Sequence, residues 1–330
     1  MKKYCYILLR VLFFFPFTLL SCAAESNDII EANEIIKEKE EISSCVMIVP
    51  DIQNYTHKNE SFKYLNAIVD YYHESKDSID AILQVGDLTN NNQIWQYENA
   101  YNQFFSKIGM TDQLVFCLGN HDYGNNGKSD VRSSNFPESM IPPHDIRMGN
   151  SQYENYVRYI NIGGKRYGVL VLEFCTRNET LEWANEILIN DASIPYIILT
   201  HVFLDQNGEM FDSTNNLIEN KGSSPKKYKM GGAYKNDSRE IFDKIIYKNP
   251  NVKFVLCGHC LTPNYINVHS ENNVEGKPVH MIEVNYQHYK NGGHGYVGIL
   301  DILENGFRIR SFSTFEKKYG NIDLVIRTNN

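Results

Sequence analysis

Five short apolar runs, each followed at once by polar residues with metal-binding chemistry, constrain this chain more than any other feature. Residues 45–49 lead to Asp51-Ile-Gln53, 81–85 to Gly86-Asp87-Leu-Thr-Asn90, and 114–118 to Gly119-Asn120-His121-Asp122. Residues 196–199 lead to Thr200-His201, and 252–257 to Gly258-His259. Between the first three runs, apolar residues recur at helical spacing (Phe62, Leu65, Ile68, Val69, Tyr72), and 93–108 carries aromatics on one face. Short strands alternating with helices predict a β-α-β-α-β order and a parallel or mixed sheet. Ligands of such sheets bind beyond the carboxyl ends of the strands, so the five tips can converge on one cleft. Carboxylate and amide oxygens suit hard cations and imidazoles suit transition metals; the donor set therefore fits two divalent cations. Gly-Asp or a lone histidine is common by itself. Gly-Asn-His-Asp directly after an apolar strand is more specific, and five tips in this order are more specific still.

A second group of elements follows. Residues 153–162 and 166–172 flank Gly163-Gly164 as a hairpin. Residues 180–188 and 239–247 read as helices, and 280–284, 296–302 and 307–313 close the chain as β. The polar stretch 205–237 reads as a long loop, expected to shape a pocket together with 123–152. No linker divides the two groups, so residues 45–330 read as one α/β domain with two facing sheets. With 330 residues, 42% of them hydrophobic, the chain can bury a core of that size.

The first residues read as an export signal. Lys2 and Lys3 precede the apolar stretch 11–20, which is too short to span a bilayer and whose extension Arg10 interrupts. It ends in Leu19-Leu20-Ser21-Cys22, which resembles the lipobox of bacterial lipoproteins, where the cysteine is lipidated. Ordinary secretory cleavage after Ser21-Cys22-Ala23 also fits the small-residue rule. Residues 23–44 are charged and free of aromatics, Pro and Gly, as a tether would be. Residues 1–21 are therefore assigned to a lipoprotein-type signal peptide and 22–44 to a flexible tether. The expected location is a bacterial cell envelope, membrane-anchored through Cys22, or else secreted or periplasmic. Loss of 1–21 removes three positive charges and takes the net charge from −8 to −11. With no basic stripe, nucleic acid is not an expected partner. Five cysteines remain beyond Cys22, an odd count that argues against a full disulfide framework and for buried free thiols.

In its order of motifs the chain resembles the calcineurin-like metallophosphoesterase superfamily, which carries Asp-x-His, Gly-Asp-x-x-Asp/Asn, Gly-Asn-His-Asp/Glu, a lone His, and Gly-His-x-His. The likeness runs from Cys45 to about Ser313. It implies a four-layer α-β-β-α sandwich of two facing mixed sheets, and a phosphoester hydrolase with two divalent ions (Mn, Fe, Zn or Mg). Residue by residue, it implies that Asp87 bridges both ions. One ion would take Asn120, His201 and His259, and the other Asp51. His121 would act as general acid toward the leaving oxygen, with Asp122 placed to orient it. Pro50-Asp51-x-Gln53, Leu172-Glu173-Phe174, Trp183-Ala184 and Asn285-Tyr286-Gln287 look like a group of exported bacterial members.

Two departures fall on the same ion. Gln53 stands where the first motif has His, and Leu261 where the last has its second His. The first position is therefore expected to be oxygen-richer, weaker for zinc or iron, and better suited to Mn²⁺, Mg²⁺ or Ca²⁺. His288, His294 or Gln287 are the late-loop residues from which a replacement ligand would come. Against that stands a plain surface role in a Gly-rich turn. Asn90 is expected to orient ligands or substrate, and Glu173 either to face the cleft or to be a capped surface carboxylate. The expected substrate is a small phosphomonoester or diester. The competing reading is a surface lipoprotein that binds a phosphorylated or glycan ligand without turnover. The retained His121-Asp122 pair favours the enzyme.

Overall fold

A computed structural model describes residues 45–327 apart from 112, 130, 150–152, 215–222 and 231–233. The signal peptide and tether assigned to 1–44, with Cys22, lie outside the described residues.

The apolar run at Cys45–Val49 is strand β1, and it has no polar face because both of its faces are covered. Val46 and Ile48 point toward the second sheet, while Met47 and Val49 point toward helices. Strands β2 (Ala81–Gln84) and β3 (Leu114–Phe116) run parallel to it. On its other edge β1 pairs antiparallel with β11 (Tyr296–Leu303), followed by β12 (Gly306–Ser313) and β13 (Lys318–Arg327). The second sheet runs β4 (Ile146–Arg147), β5 (Tyr156–Ile162), β6 (Lys165–Val171), β7 (Tyr196–Leu199), β8 (Val252–Cys257), β10 (Pro278–Val284), β9 (Ile266–Asn272). In it β6, β7, β8 and β10 are mutually parallel and the rest antiparallel. Gly163-Gly164 forms the expected β5–β6 hairpin, closing on the Ile162–Lys165 pair.

Inward residues of both sheets, among them Ile48, Leu83, Val169, Ile197, Leu256 and Ile309, make one core. The helix Phe62–Ser75 lays Leu65, Ile68 and Val69 on the outer face of the first sheet, beside Phe104 and Phe105. The helix Asn178–Asn190 and the helical segment 238–246 cover the outer face of the second with Leu181, Leu188, Ile241 and Ile245. This is the four-layer α-β-β-α sandwich that the resemblance implied. Three strands escaped the pattern reading. β4 has two residues, and β9 and β13 are edge strands whose mixed polar and apolar side chains do not keep a clean alternation. The 93–108 helix is also not uniform, being widened by a π segment at Tyr101–Phe105. All five cysteines of the described residues are free and buried.

Sheet packing leaves little slack at β6. A methyl group on Gly168 would come within 2.4 Å of the buried Tyr196 ring, whose hydroxyl is held by Asp191. Gly168→Ala is expected to lower stability by about 1–3 kcal/mol, the usual cost of overpacking, as read by denaturant unfolding.

Candidate functional site

The tips of β1, β2, β3, β7 and β8 do converge. Asp51, Asp87, Asn120, His201 and His259 are all buried at the carboxyl edge of the two sheets. Close approach is required: a Cβ on Gly119 would lie 2.1 Å from Asp87 Oδ1, so the β3 tip can pass the Asp87 carboxylate only as glycine. One donor atom each from Asp51, Asp87 and His201 lies within 4.8 Å of the others, a triad able to hold a divalent metal.

The two imidazoles are oriented by carbonyls. His201 Nδ1 lies 2.8 Å from the Val85 carbonyl, and His259 Nε2 lies 3.1 Å from that of Ser223. A carbonyl only accepts, so each of those nitrogens carries the proton and donates. The inward atoms are then His201 Nε2, 3.3 Å from Asp87 Oδ1 and 3.2 Å from Asn120 Oδ1, and His259 Nδ1, 2.9 Å from the same Asn120 oxygen. Four donor atoms meet with few protons among them, a set that could hold a metal with its histidines fixed from behind. This half matches a divalent cation with nitrogen and oxygen ligands.

The other half is built of carboxamides. Gln53 Nε2 donates to Asp87 Oδ2 at 3.0 Å and to Gln287 Oε1 at 2.8 Å. Gln287 Nε2 and Asn285 Nδ2 donate to Asp51 Oδ2 at 3.1 and 3.2 Å. Gln287 thus belongs to the cluster, whereas His288 is exposed and His294 pairs with Glu316. Leu261 is 43% exposed and stands outside it. Asn285 was missed in the sequence as a site residue. Its signal was available, because Asn285-x-Gln287 follows an apolar strand just as Asp51-x-Gln53 does.

Burial and mutual charge set the protonation of this cluster. Burial, reinforced by Asp87 and opposed by His201, pushes Asp51 up to about 8. Burial also acts to raise Asp87, but His201 and His121 hold it below the usual carboxylate range. His201 is favoured neutral by burial, yet Asp87 overcomes this and lifts it to about 9. Burial and His201 push His259 down to about 3. The metal-free cluster therefore carries protons on Asp51 and His201.

His121 stands at the rim, its Nδ1 2.5 Å from the Asn90 carbonyl and its backbone N–H on Asp87 Oδ1 at 2.9 Å. Asn90 orients by its backbone carbonyl, and what it orients is His121. Asp122 corrects the expectation that it orients the His121 ring. Its buried carboxylate accepts instead from the amides of Gly119, Leu88 and Thr89 and from the Thr89 hydroxyl, at 2.9–3.0 Å. It ties the β2 tip to the β3 tip. Burial and the Asp87 charge raise it to about 6. Glu173 is neither in the cleft nor on the surface. Arg177 and Thr180 bond to its buried carboxylate, and Arg132 pairs with it at 3.3 Å. Burial opposes the ionised form, but Arg132 and Arg177 prevail and hold its pKa below the ordinary value. Tyr55, Tyr123 and Tyr286 are buried packing residues.

The chain belongs to the calcineurin-like phosphoesterase family, whose sequence profile matches residues 46–263. It is similar to the uncharacterized protein YvnB of Bacillus subtilis (strain 168), with 24% identity over 264 residues, 74% of this chain and 18% of that protein. The chain thus spans less than a fifth of that relative's length. Among solved structures it is similar to the purple acid phosphatase PPD1 from yellow lupin (Lupinus luteus) seeds, with 14% identity and a TM-score of 0.51. That likeness covers 87% of this chain and 54% of the phosphatase. GAP50, the anchor in the inner membrane complex of Plasmodium, is 12% identical with a TM-score of 0.48, over 87% of this chain and 89% of that one. At 14% identity the likeness to the phosphatase shows the fold alone.

The protonation pattern sets a pH dependence. Asp51 and His201 bind protons more tightly folded than unfolded, so both stabilise the metal-free fold at low pH. That stability is lost as pH rises, through about 8 for Asp51 and about 9 for His201. A bound cation replaces those protons. The melting temperature of chelated protein is expected to fall between pH 6 and 9, while the upward shift caused by added Mn²⁺ grows over the same range. Calorimetric scans with and without chelator check both slopes.

Proposed function

We propose that this chain is a metal-dependent phosphoesterase acting on phosphomonoesters or small phosphodiesters. The observation that carries the reading is the meeting of two carboxylates, an asparagine and two carbonyl-oriented histidines at the strand tips, with His121 held at the rim. When bound in such a cluster, divalent cations polarise a phosphoryl oxygen and acidify a water. The residues supply the rest. Asp87, fixed through both oxygens, is the carboxylate shared by the two halves. His121 donates Nδ1–H to the Asn90 carbonyl, so it is as the imidazolium that it hands its second proton, on Nε2, to the leaving oxygen. Asp122 keeps the β2 and β3 tips in register so that His121 and Asp87 stay together. A polar pocket of about 360 Å³ that shares Gln287 with the cluster, lined also by Asn54, Lys58, Glu60, Lys63 and Tyr64, offers room for the alcohol part of the ester.

Export and anchoring through Cys22 belong to the same proposal, supported by the residue pattern of 1–44, and mass spectrometry of the native N-terminus tests them. For the reaction, hydrolysis of p-nitrophenyl phosphate and bis-p-nitrophenyl phosphate with Mn²⁺ is expected, and Asp87→Ala is expected to abolish it. His121→Ala should keep its metal and lose roughly 10²–10⁴-fold in kcat on alkyl esters, with a smaller loss on nitrophenyl esters, whose leaving group needs no proton. Absence of metal-dependent turnover on every ester would move the reading to a ligand-binding lipoprotein.

A further inference from the structure

We infer that Gln287 supplies, from the loop after β10, the ligand that Leu261 cannot, making the first cation position an all-oxygen site of Asp51, Gln53, Gln287 and the shared Asp87. The inference rests on the reading that this cluster holds divalent cations; it adds which residue completes the set and which ions it prefers.

Position is the first argument. Asp51 and Gln53 meet Gln287 across 236 and 234 residues of chain, and Gln287 lies beyond the residues 46–263 that match the family. Its backbone is clamped on both sides: its N–H donates to Asn285 Oδ1 at 2.9 Å, and its carbonyl accepts from Asn54 Nδ2 at 3.0 Å. The side chain is thereby presented to the carboxylates, with Nε2 also 3.4 Å from the His259 carbonyl. Leu261, by contrast, is substantially solvent-exposed and has no ligand atom.

An unpartnered atom is the second. Gln53 is 2% exposed, and its Oε1 is buried with no donor among the described residues. A buried acceptor left unpaired costs about 1–3 kcal/mol, and natural cores avoid it. The amide nitrogen of the same group spans Asp87 and Gln287. A half-turn of the carboxamide exchanges its nitrogen and oxygen with almost no change of shape. After it, oxygens of Gln53, Asp87 and Gln287 face one another, which is repulsive without a cation and favourable with one. The two glutamines thus donate hydrogen bonds to Asp87 and Asp51 in the metal-free protein and act as acceptors once a cation arrives.

Donor type decides the ion. Amide and carboxylate oxygens without imidazole favour Mn²⁺, Mg²⁺ or Ca²⁺, whereas the Asn120, His201 and His259 half favours zinc or iron. The centre is therefore mixed, one position hard and one softer, sharing Asp87.

The test is ion binding by the full chain, read without turnover. Metal-free protein is given one equivalent of Zn²⁺ and then titrated with Mn²⁺, free Mn²⁺ being followed by electron paramagnetic resonance. One Mn²⁺ per chain is expected beside the retained Zn²⁺. Gln287→Ala should weaken that Mn²⁺ at least tenfold and leave Zn²⁺ uptake unchanged. Gln287→Glu, which keeps the oxygen and adds charge, should bind Mn²⁺ more tightly than wild type. Gln287→His should take a second Zn²⁺. Wild-type protein that binds a single cation in all, or a folded Gln287→Ala that binds Mn²⁺ as wild type does, overturns the assignment. If Gln287→Ala does not fold, unaltered Mn²⁺ affinity in both Gln287→Glu and Gln287→His overturns it instead. An inactive protein that shows the expected binding supports the ligand assignment while refuting the esterase reading, so the two fail separately.

Discussion

The Asp87 carboxylate is the interaction on which the rest of this edge depends. It is buried and held ionised, with one oxygen receiving the His121 amide and facing His201, and the other receiving Gln53. A buried charge without partners costs several kcal/mol, so the tips of β1, β3 and β7 must all close on it. Its own backbone adopts a positive φ of 52° to reach that point, and Gly119 is there because nothing larger fits beside it. The proton on His201 follows from Asp87's charge, which also helps keep the proton on Asp51.

Around this carboxylate the site is asymmetric. One side has histidines locked by carbonyls, as the candidate ligands of a nitrogen-rich metal site would be. The other side has carboxamides that donate to both carboxylates. An imidazole at Gln53 would commit that side to transition metals. A carboxamide can present either end, and it keeps the carboxylates paired when no cation is present. The departures at Gln53 and Leu261 are coherent when Gln287 is counted with them.

The rim is organised by buried carboxylates bonded to backbone amides and to arginines. Asp122 sews two strand tips together through three backbone amides. Arg132 joins Glu154 and Glu173 and donates to the Phe174 carbonyl, pinning the loop after β3 to the second sheet. Buried ion clusters of this kind contribute orientation more than net stability. Here the orientation is that of the Asn120–Asp122 turn, which carries one candidate ligand and the candidate acid.

Much of this was legible in the residues themselves. The alternation of buried strands and helices, the hairpin at Gly163-Gly164, and the ligand chemistry at Asp51, Asp87, Asn120, His201 and His259 are local properties. They follow from the period of the apolar residues and from what stands one or two positions beyond each strand. The edge strands β9 and β13 were not legible, because a strand that lays only part of one face on the core carries little hydrophobic signal. Nor were the partners of Asp122, the burial of Glu173, or the place of Gln287 beside Asp51. A carboxylate or an amide has the same formula whether it faces solvent, a backbone amide or a cation. Contacts closed across more than two hundred residues assign that role, and so the sequence determined where the donors stand along the chain, while the packing of two sheets decided which of them meet.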